Sequence, residues 1–261
     1  MKMTIKLTSF ILAIAIMSCC LLSCDLIFGK DPKATLDKAD ATLSSAPYTV
    51  EMAIKYESTS QTVIDAIKCL ETPVIKLEVN GKNACATMQM SLDGKISRTT
   101  YTIYNGMIYR YEYEKVGEIE TVVKEKSAFA DELYKEAISS LGGGANLRYD
   151  DFEEAKERVV DGISIITCTK IKDEALAGVC AMMEDSLSDL GATVGVKDAS
   201  LIIQIENGMY KATVFACNYV ITTATDVYTV SMAFAAQFKY DEAVKISAPA
   251  DASQYTDVSG K

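Results

Sequence analysis

Apolar and polar residues alternate with period two along much of this chain. Tyr48, Val50, Met52, Ile54 and Tyr56 alternate with Thr49, Glu51, Ala53, Lys55 and Glu57. That is the pattern of a strand with one face in a core and one in water. Ile75, Leu77 and Val79 repeat it up to Asn80-Gly81, and Ala84, Ala86, Met88 and Met90 up to Asp93-Gly94. A strand near 98–104 meets Asn105-Gly106, Met107 to Tyr113 follows, and Ile119 to Val123 makes the next. Asn-Gly and Asp-Gly favour tight hairpin turns because both central residues take positive φ. Asp161-Gly162 predicts a hairpin of Phe152–Val160 with Ile163–Ile171, and Asn207-Gly208 joins Leu201–Ile205 to Met209–Ile221. The longest alternation runs from Tyr228 to Tyr240; a strand of that length is expected to curve in a twisted sheet. Short hairpins at this pace predict a meander and not β-α-β units.

Helical spacing interrupts the alternation. Asp31-Pro32 opens a helix carrying Leu36, Ala39 and Leu43, stopped at Ala46-Pro47, with Asp as N-cap and Pro at the first helical position. Val63, Ile64, Ile67 and Leu70 suggest a short helix. Ser127 is expected to cap another, with Phe129, Leu133 and Leu141 on one face and a stop at Gly142-Gly143-Gly144. A last helix spans about 173–190, with Leu176, Val179, Met183 and Leu187 on one stripe.

The start of the chain follows a different pattern. Lys2 and Lys6 precede an uncharged, mostly apolar run from Leu7 to Leu22. A basic start, a short apolar run and a small residue before a cut read as a secretory signal. The run is shorter than the ~20 residues of a bilayer span. Leu21-Leu22-Ser23-Cys24 resembles the lipobox of bacterial lipoproteins, in which the cysteine thiol accepts a diacylglyceryl chain. Ile16-Met17-Ser18-Cys19 is a weaker version that leaves Leu21 and Leu22 stranded. The expectation is a signal over 1–23, lipid on Cys24, a tether over 24–30, one domain over 31–255 and a tail over 256–261. The chain is then exported and held at the outer face of the bacterial membrane.

Charge and composition narrow the chemistry. The chain has 26 Lys and Arg against 36 Asp and Glu, for a net charge of −10. It is poorly suited to nucleic acid, where phosphate charge dominates affinity, and no nucleic-acid partner is expected. Histidine and tryptophan are absent, so the usual Ser-His and Cys-His pairs and imidazole metal sites are excluded. No G-x-S-x-G or phosphate-loop pattern occurs. The acidic cluster Asp150, Asp151, Glu153 and Glu154 lacks the spacing of known calcium loops and reads as a solvated turn. Neither enzyme activity, cofactor nor metal is expected. Cys69, Cys85, Cys168, Cys180 and Cys217 are widely spaced and odd in number, which favours buried thiols over a disulfide framework.

A leading helix, a long strand, a meander with helices inserted midway, and late long strands closing on Ala243-Val244-Lys245-Ile246-Ser247-Ala248-Pro249 together resemble the LolA/LppX-type lipoprotein carriers. The resemblance covers about 31–255 in the order of its elements. It implies an α+β fold: a single curved, unclosed antiparallel sheet, a half-barrel, wrapped around amphipathic helices with acyl chains held between. On that reading Val50, Met52, Ile54, Tyr109, Tyr111, Leu176, Met183, Leu187, Val230, Met232, Phe234 and Phe238 line one cleft for a lipid ligand. The alternative is a surface lipoprotein whose sheet is fully packed and which binds a protein partner that the sequence does not name.

Overall fold

The structure is a computed structural model describing residues 31–58, 60, 74–92, 94–128, 147–187 and 192–259. Its frame is one unclosed sheet, antiparallel except at one short edge pair, with two α-helices among the described residues. Helix α1 is Lys33–Ser45 and α2 is Asp173–Ser186. The first strands are β1 (Tyr48–Ser58), β2 (Val74–Asn80), β3 (Asn83–Leu92), β4 (Lys95–Tyr104), β5 (Met107–Val116) and β6 (Ile119–Ala128). Then come β7 (Phe152–Val160), β8 (Ile163–Ile171), β9 (Thr193–Glu206), β10 (Met209–Thr222), β11 (Val227–Tyr240) and β12 (Thr256–Asp257). The hydrogen-bonded order is β12-β6-β5-β4-β3-β2-β1-β11-β10-β9-β8-β7. Sheet wrapped around helices is the finer part of the expected fold and does not follow from this order.

The hairpins form for the reason their turn residues give. Asn105 and Gly106, Asp161 and Gly162, and Asn207 and Gly208 all take positive φ, the backbone twist that matches flanking strands. At Asn80 the expectation is off by one residue. Asn80 pairs with Asn83, and the turn is Gly81-Lys82, with Gly81 supplying the positive φ. Ser127 is not a helix cap: it lies in β6 opposite Ile108. The helix expected over 129–141, and that over 63–70, fall outside the described residues.

The chain divides into two compact units. The first takes Met1–Thr42, Ala53–Glu71 and Leu147–Gln237. In it β7 to β11 form one sheet region, and the second half of β1 belongs to it, with Ser58 Oγ donating to the Thr229 carbonyl at 3.0 Å. Register places Phe215, Cys217 and Tyr219 opposite Phe234, Met232 and Val230 on one face of β10 and β11. The same face runs through Leu201 and Ile203 to Cys168 and Ile166. All ten are buried. Two helices lie on this face. Asp31 caps α1 by accepting the Lys33 N–H at 2.9 Å, and α1 buries Leu36 and Ala39. Helix α2 packs on β9 and buries Val179. The other face is closed at its centre by small residues, with Ala212, Val214 and Ala235 packed beside Ala53 and Ala233.

The second unit takes Leu43–Met52, Thr72–Asn146 and Phe238–Lys261. One of its faces runs from Val50 through Leu77 and Ala86 to Tyr101 and Arg110. Tyr48 joins it, 6.4 Å from Phe238 and 6.2 Å from Tyr240 by ring centroid. The segment Ala243–Pro249, expected to close the sheet, forms no strand. It is the start of a strap that crosses the opposite face. Asn80 Nδ2 donates to the Val244 carbonyl at 2.8 Å, and Lys124 Nζ donates to Asp251 Oδ2 at 2.6 Å and Gln254 Oε1 at 2.8 Å. Tyr255 meets Tyr109 edge-on at 5.5 Å. The strap ends in β12, parallel to β6 at Glu125 and Lys126.

Candidate functional site

Seven of the twelve residues expected to line a ligand cleft lie in the first unit: Ile54, Leu176, Met183, Leu187, Val230, Met232 and Phe234. A side chain lining even a closed cavity keeps surface that a water molecule can touch. Val230 keeps none (0%) and Met232 keeps 6%. Phe234 and Leu187 are buried as well. Leu176 is half-buried on α2, and Met183 lies on α2 at a position whose side chain is not described. Ile54, on β1, is half-buried. Burial of this degree at Val230, Met232, Phe234 and Leu187 is what a packed core gives.

In the second unit Val50 and Met52 are buried, Met52 to 1%, and Phe238 is half-buried against Tyr48. Tyr109 and Tyr111 do not share their lining. Val50 is connected by register to Arg110, so Tyr109 and Tyr111 point to the opposite face. Tyr109 there packs on Tyr255 of the strap. Within the second unit, Tyr109 and Tyr111 therefore do not line the same face as Val50 and Met52. No sequence signal marked Tyr255, because the strap that carries it has no periodicity.

The polar groups of the stripe are chemically quiet. Tyr219 lies among Cys217, Cys180 and Tyr56, and its hydroxyl donates to the Val179 carbonyl at 3.4 Å. Burial, then the Cys217 thiol, raises its ionisation far above that of a free phenol. Burial pushes Cys168 and Cys217 up to about 12. A thiol held protonated is not a nucleophile or a metal ligand. Cys85, Cys168, Cys180 and Cys217 are all free thiols.

A cavity of about 290 Å³ opens elsewhere in the first unit, between α1 and the turns of the β7–β8 and β9–β10 hairpins. Thr35, Lys38, Gly162, Ser164, Asn207 and Gly208 line it. Beside it Glu157 is buried on β7 and accepts the Thr35 hydroxyl at 2.9 and 3.1 Å. Tyr210 Oη donates to Asp40 Oδ1 at 2.6 Å, tying α1 to β10. The stem of Lys38 lies directly over Gly208. At this volume it lies at the small end of ligand sites, and its lining is mixed, with Ala34 and Ile205 beside the polar groups. It is a helix-to-sheet joint with its carboxylate satisfied.

The acidic cluster is dispersed by its contacts. Asp151 Oδ2 accepts the Arg148 N–H at 2.6 Å, and Glu154 pairs with Lys170. Among the described residues no three His, Cys, Asp or Glu side chains converge as a metal site. None of the described helices is long and apolar enough to cross a membrane.

No family model matches the chain, and no curated protein matches it. Among solved structures it is similar to the ywiB protein from Bacillus subtilis at 6% identity, covering 74% of this chain and 91% of that one, with a TM-score of 0.18. The dehydratase domain of the polyketide PpsC from Mycobacterium tuberculosis aligns at 11% identity over 80% of this chain and 83% of that one, with a TM-score of 0.15. Likeness at that level carries no functional argument.

Proposed function

We propose that this chain is an exported bacterial lipoprotein, anchored through acyl chains on Cys24, whose sheet serves as a non-catalytic scaffold for a protein partner. One observation supports the scaffold over a lipid carrier: central side chains offered for acyl chains are already buried, Val230 to 0% exposure in the first unit and Met52 to 1% in the second. A carrier gains about 0.8 kcal/mol for each CH₂ it encloses, and side chains already at this burial have no surface left to give an acyl chain. The lipobox resemblance at Leu21–Cys24 supports the anchor. The short spacer 25–30 keeps the sheet close to the membrane.

The test is made on the full chain in a bacterial host. Labelled palmitate is expected on the wild type and absent from Cys24→Ala. Native mass spectra of the protein extracted in detergent are expected to show one lipidated chain mass and no further ligand. Absence of label removes the anchor. A second, co-purifying acyl lipid replaces the scaffold with a carrier.

A further inference from the structure

The cavity between α1 and the two hairpin turns lies wholly within the first unit. Its floor is a cross-strand pair, Ser164 of β8 opposite Ile205 of β9. Its wall is α1, through Ala34, Thr35 and Lys38, and its rim is Gly162 on one turn and Asn207-Gly208 on the other. The two ends differ in charge. At one end Lys38 Nζ lies 3.2 Å from the position that a Cβ on Gly208 would take. Lys38 forms no ion pair among the described residues. The N–H groups of Gly162 and Gly208 stand outside the ladders, which close at Val160–Ile163 and Glu206–Met209. At the other end the Thr35 hydroxyl spends its one hydrogen on Glu157. The Thr35 oxygen therefore meets anything in the cavity as an acceptor. Glu157 pairs with Ile166, two residues along β8 from Ser164, so both share the face that carries α1. Glu157 is 8% exposed. It has a hydrogen bond but no cation among the described residues, and buried charges ordinarily have one.

We propose that this cavity binds a free aliphatic α-amino acid as its zwitterion. The carboxylate sits at Lys38 and the turn N–H groups. The ammonium donates to the Thr35 oxygen with the Glu157 charge behind it, and the side chain rests on Ala34 and Ile205. Thr35 and Lys38 are three residues apart on one helix face, with Cβ atoms about 5–6 Å apart. A ligand with both charges on one carbon bridges that gap with a hydrogen bond at each end. A plain anion would meet Lys38 and be opposed by Glu157; a plain amine would meet Glu157 and be opposed by Lys38. Only a ligand carrying both charges is matched at both ends. At about 30 Å³ for each water-sized volume, a cavity of about 290 Å³ admits about ten heavy atoms, room for valine or leucine. Lys38 and Asn207 are exposed, so the mouth is open to water. Binding is therefore expected to be weak, with Kd on the order of 0.1–1 mM, and the ligand to leave during extraction. The site rests on the first unit alone and stands whether or not Cys24 carries lipid or the sheet holds a protein partner.

The experiment is a titration of the full chain in detergent with L-valine, followed by ligand-observed nuclear magnetic resonance. Saturable binding is expected. N-acetylvaline, which lacks the ammonium, and valinamide, which lacks the carboxylate, are each expected to bind at least about tenfold more weakly. Lys38→Met keeps a stem over Gly208 and removes the charge, and is expected to weaken valine by a similar factor. Glu157→Gln keeps an acceptor for the Thr35 hydroxyl. It is expected to weaken valine several-fold while N-acetylvaline binds as before or more tightly, a contrast that a merely structural role for Glu157 does not produce. Circular dichroism checks that each variant is folded. Lys38 is exposed, so its arm and the ligand series remain readable if Glu157→Gln unfolds the chain. Absence of saturable valine binding, N-acetylvaline or valinamide binding as tightly as valine, or a folded Lys38→Met chain that binds valine unchanged overturns the proposal.

Discussion

Val230→Ala measures directly whether the apolar stripe is core or cavity wall. Val230 lies on β11 opposite Tyr219, with no exposed surface. Truncation removes two methyl-sized groups, worth about 0.8 kcal/mol each in transfer. The neighbours are Tyr219 and Met232 on paired strands whose backbones are held by a continuous ladder, so the site collapses incompletely. A residual void on the order of 40 Å³, at ~24 cal/mol per Å³, adds about 1 kcal/mol. The total is roughly 2–3 kcal/mol, which lowers Tm by roughly 5–10 °C in a chain of this size. The control is Val227→Ala on the same strand, 65% exposed and expected to change stability by less than about 0.5 kcal/mol. Urea unfolding followed by far-ultraviolet circular dichroism suits a chain without tryptophan. The midpoint is expected to fall for Val230→Ala at an unchanged slope. If both variants cost the same small amount, Val230 borders open space and the scaffold reading is wrong.

Three further outcomes follow from particular contacts. Lys124 holds the Asp251 carboxyl below its ordinary 3.8, so the strap contact is complete above that pH and is lost as pH falls through the lower folded value; hydrogen exchange at 251–258 is expected to accelerate below pH 3.8 in the wild type and to lose that pH dependence in Lys124→Met. Gly208→Ala is expected to destabilise by roughly 1–2 kcal/mol, since φ is +74° and the added Cβ lands 2.6 Å from Lys38 Cε; the double variant with Lys38→Ala is expected to recover only the steric part. With ionisation pushed up to about 12, Cys168 and Cys217 are expected to resist alkylation at pH 8 until the chain is unfolded, and rapid labelling of either in native protein contradicts their burial.

The hairpin meander was legible because its information is local. Asn105-Gly106, Asp161-Gly162 and Asn207-Gly208 each contain the residues that a positive-φ turn demands, and the strands beside them alternate. Which face of one strand joins which face of the next was not legible. Alternation sets the phase within β1 and within β5, but only the register through β2, β3 and β4 places Tyr109 and Tyr111 away from Val50 and Met52. The first half of β9 escaped for another reason. Gly195 interrupts its alternation, and a bulge with Asp198 at φ +53° shifts its phase before Leu201. The strap had no periodic signal at all, since scattered single contacts hold it: Asn80 on the Val244 carbonyl, Lys124 on the Asp251 and Gln254 side chains, and Tyr109 against Tyr255.

Strands β1 and β11 each cross from one compact unit into the other, and neither unit is a continuous stretch of polypeptide. The first unit needs both β1 and the segment ending at Gln237; the second needs β1 as well as the segment beginning at Phe238. During synthesis β1 emerges early, yet its β11 neighbour is added only after most of the chain. Such long-range closure slows folding more than it costs in stability. A ribosome that stalls before β11 releases a product in which both units are incomplete. No single cut separates the molecule into a working half and a discarded one, so truncated products should be cleared whole by proteases instead of persisting as fragments.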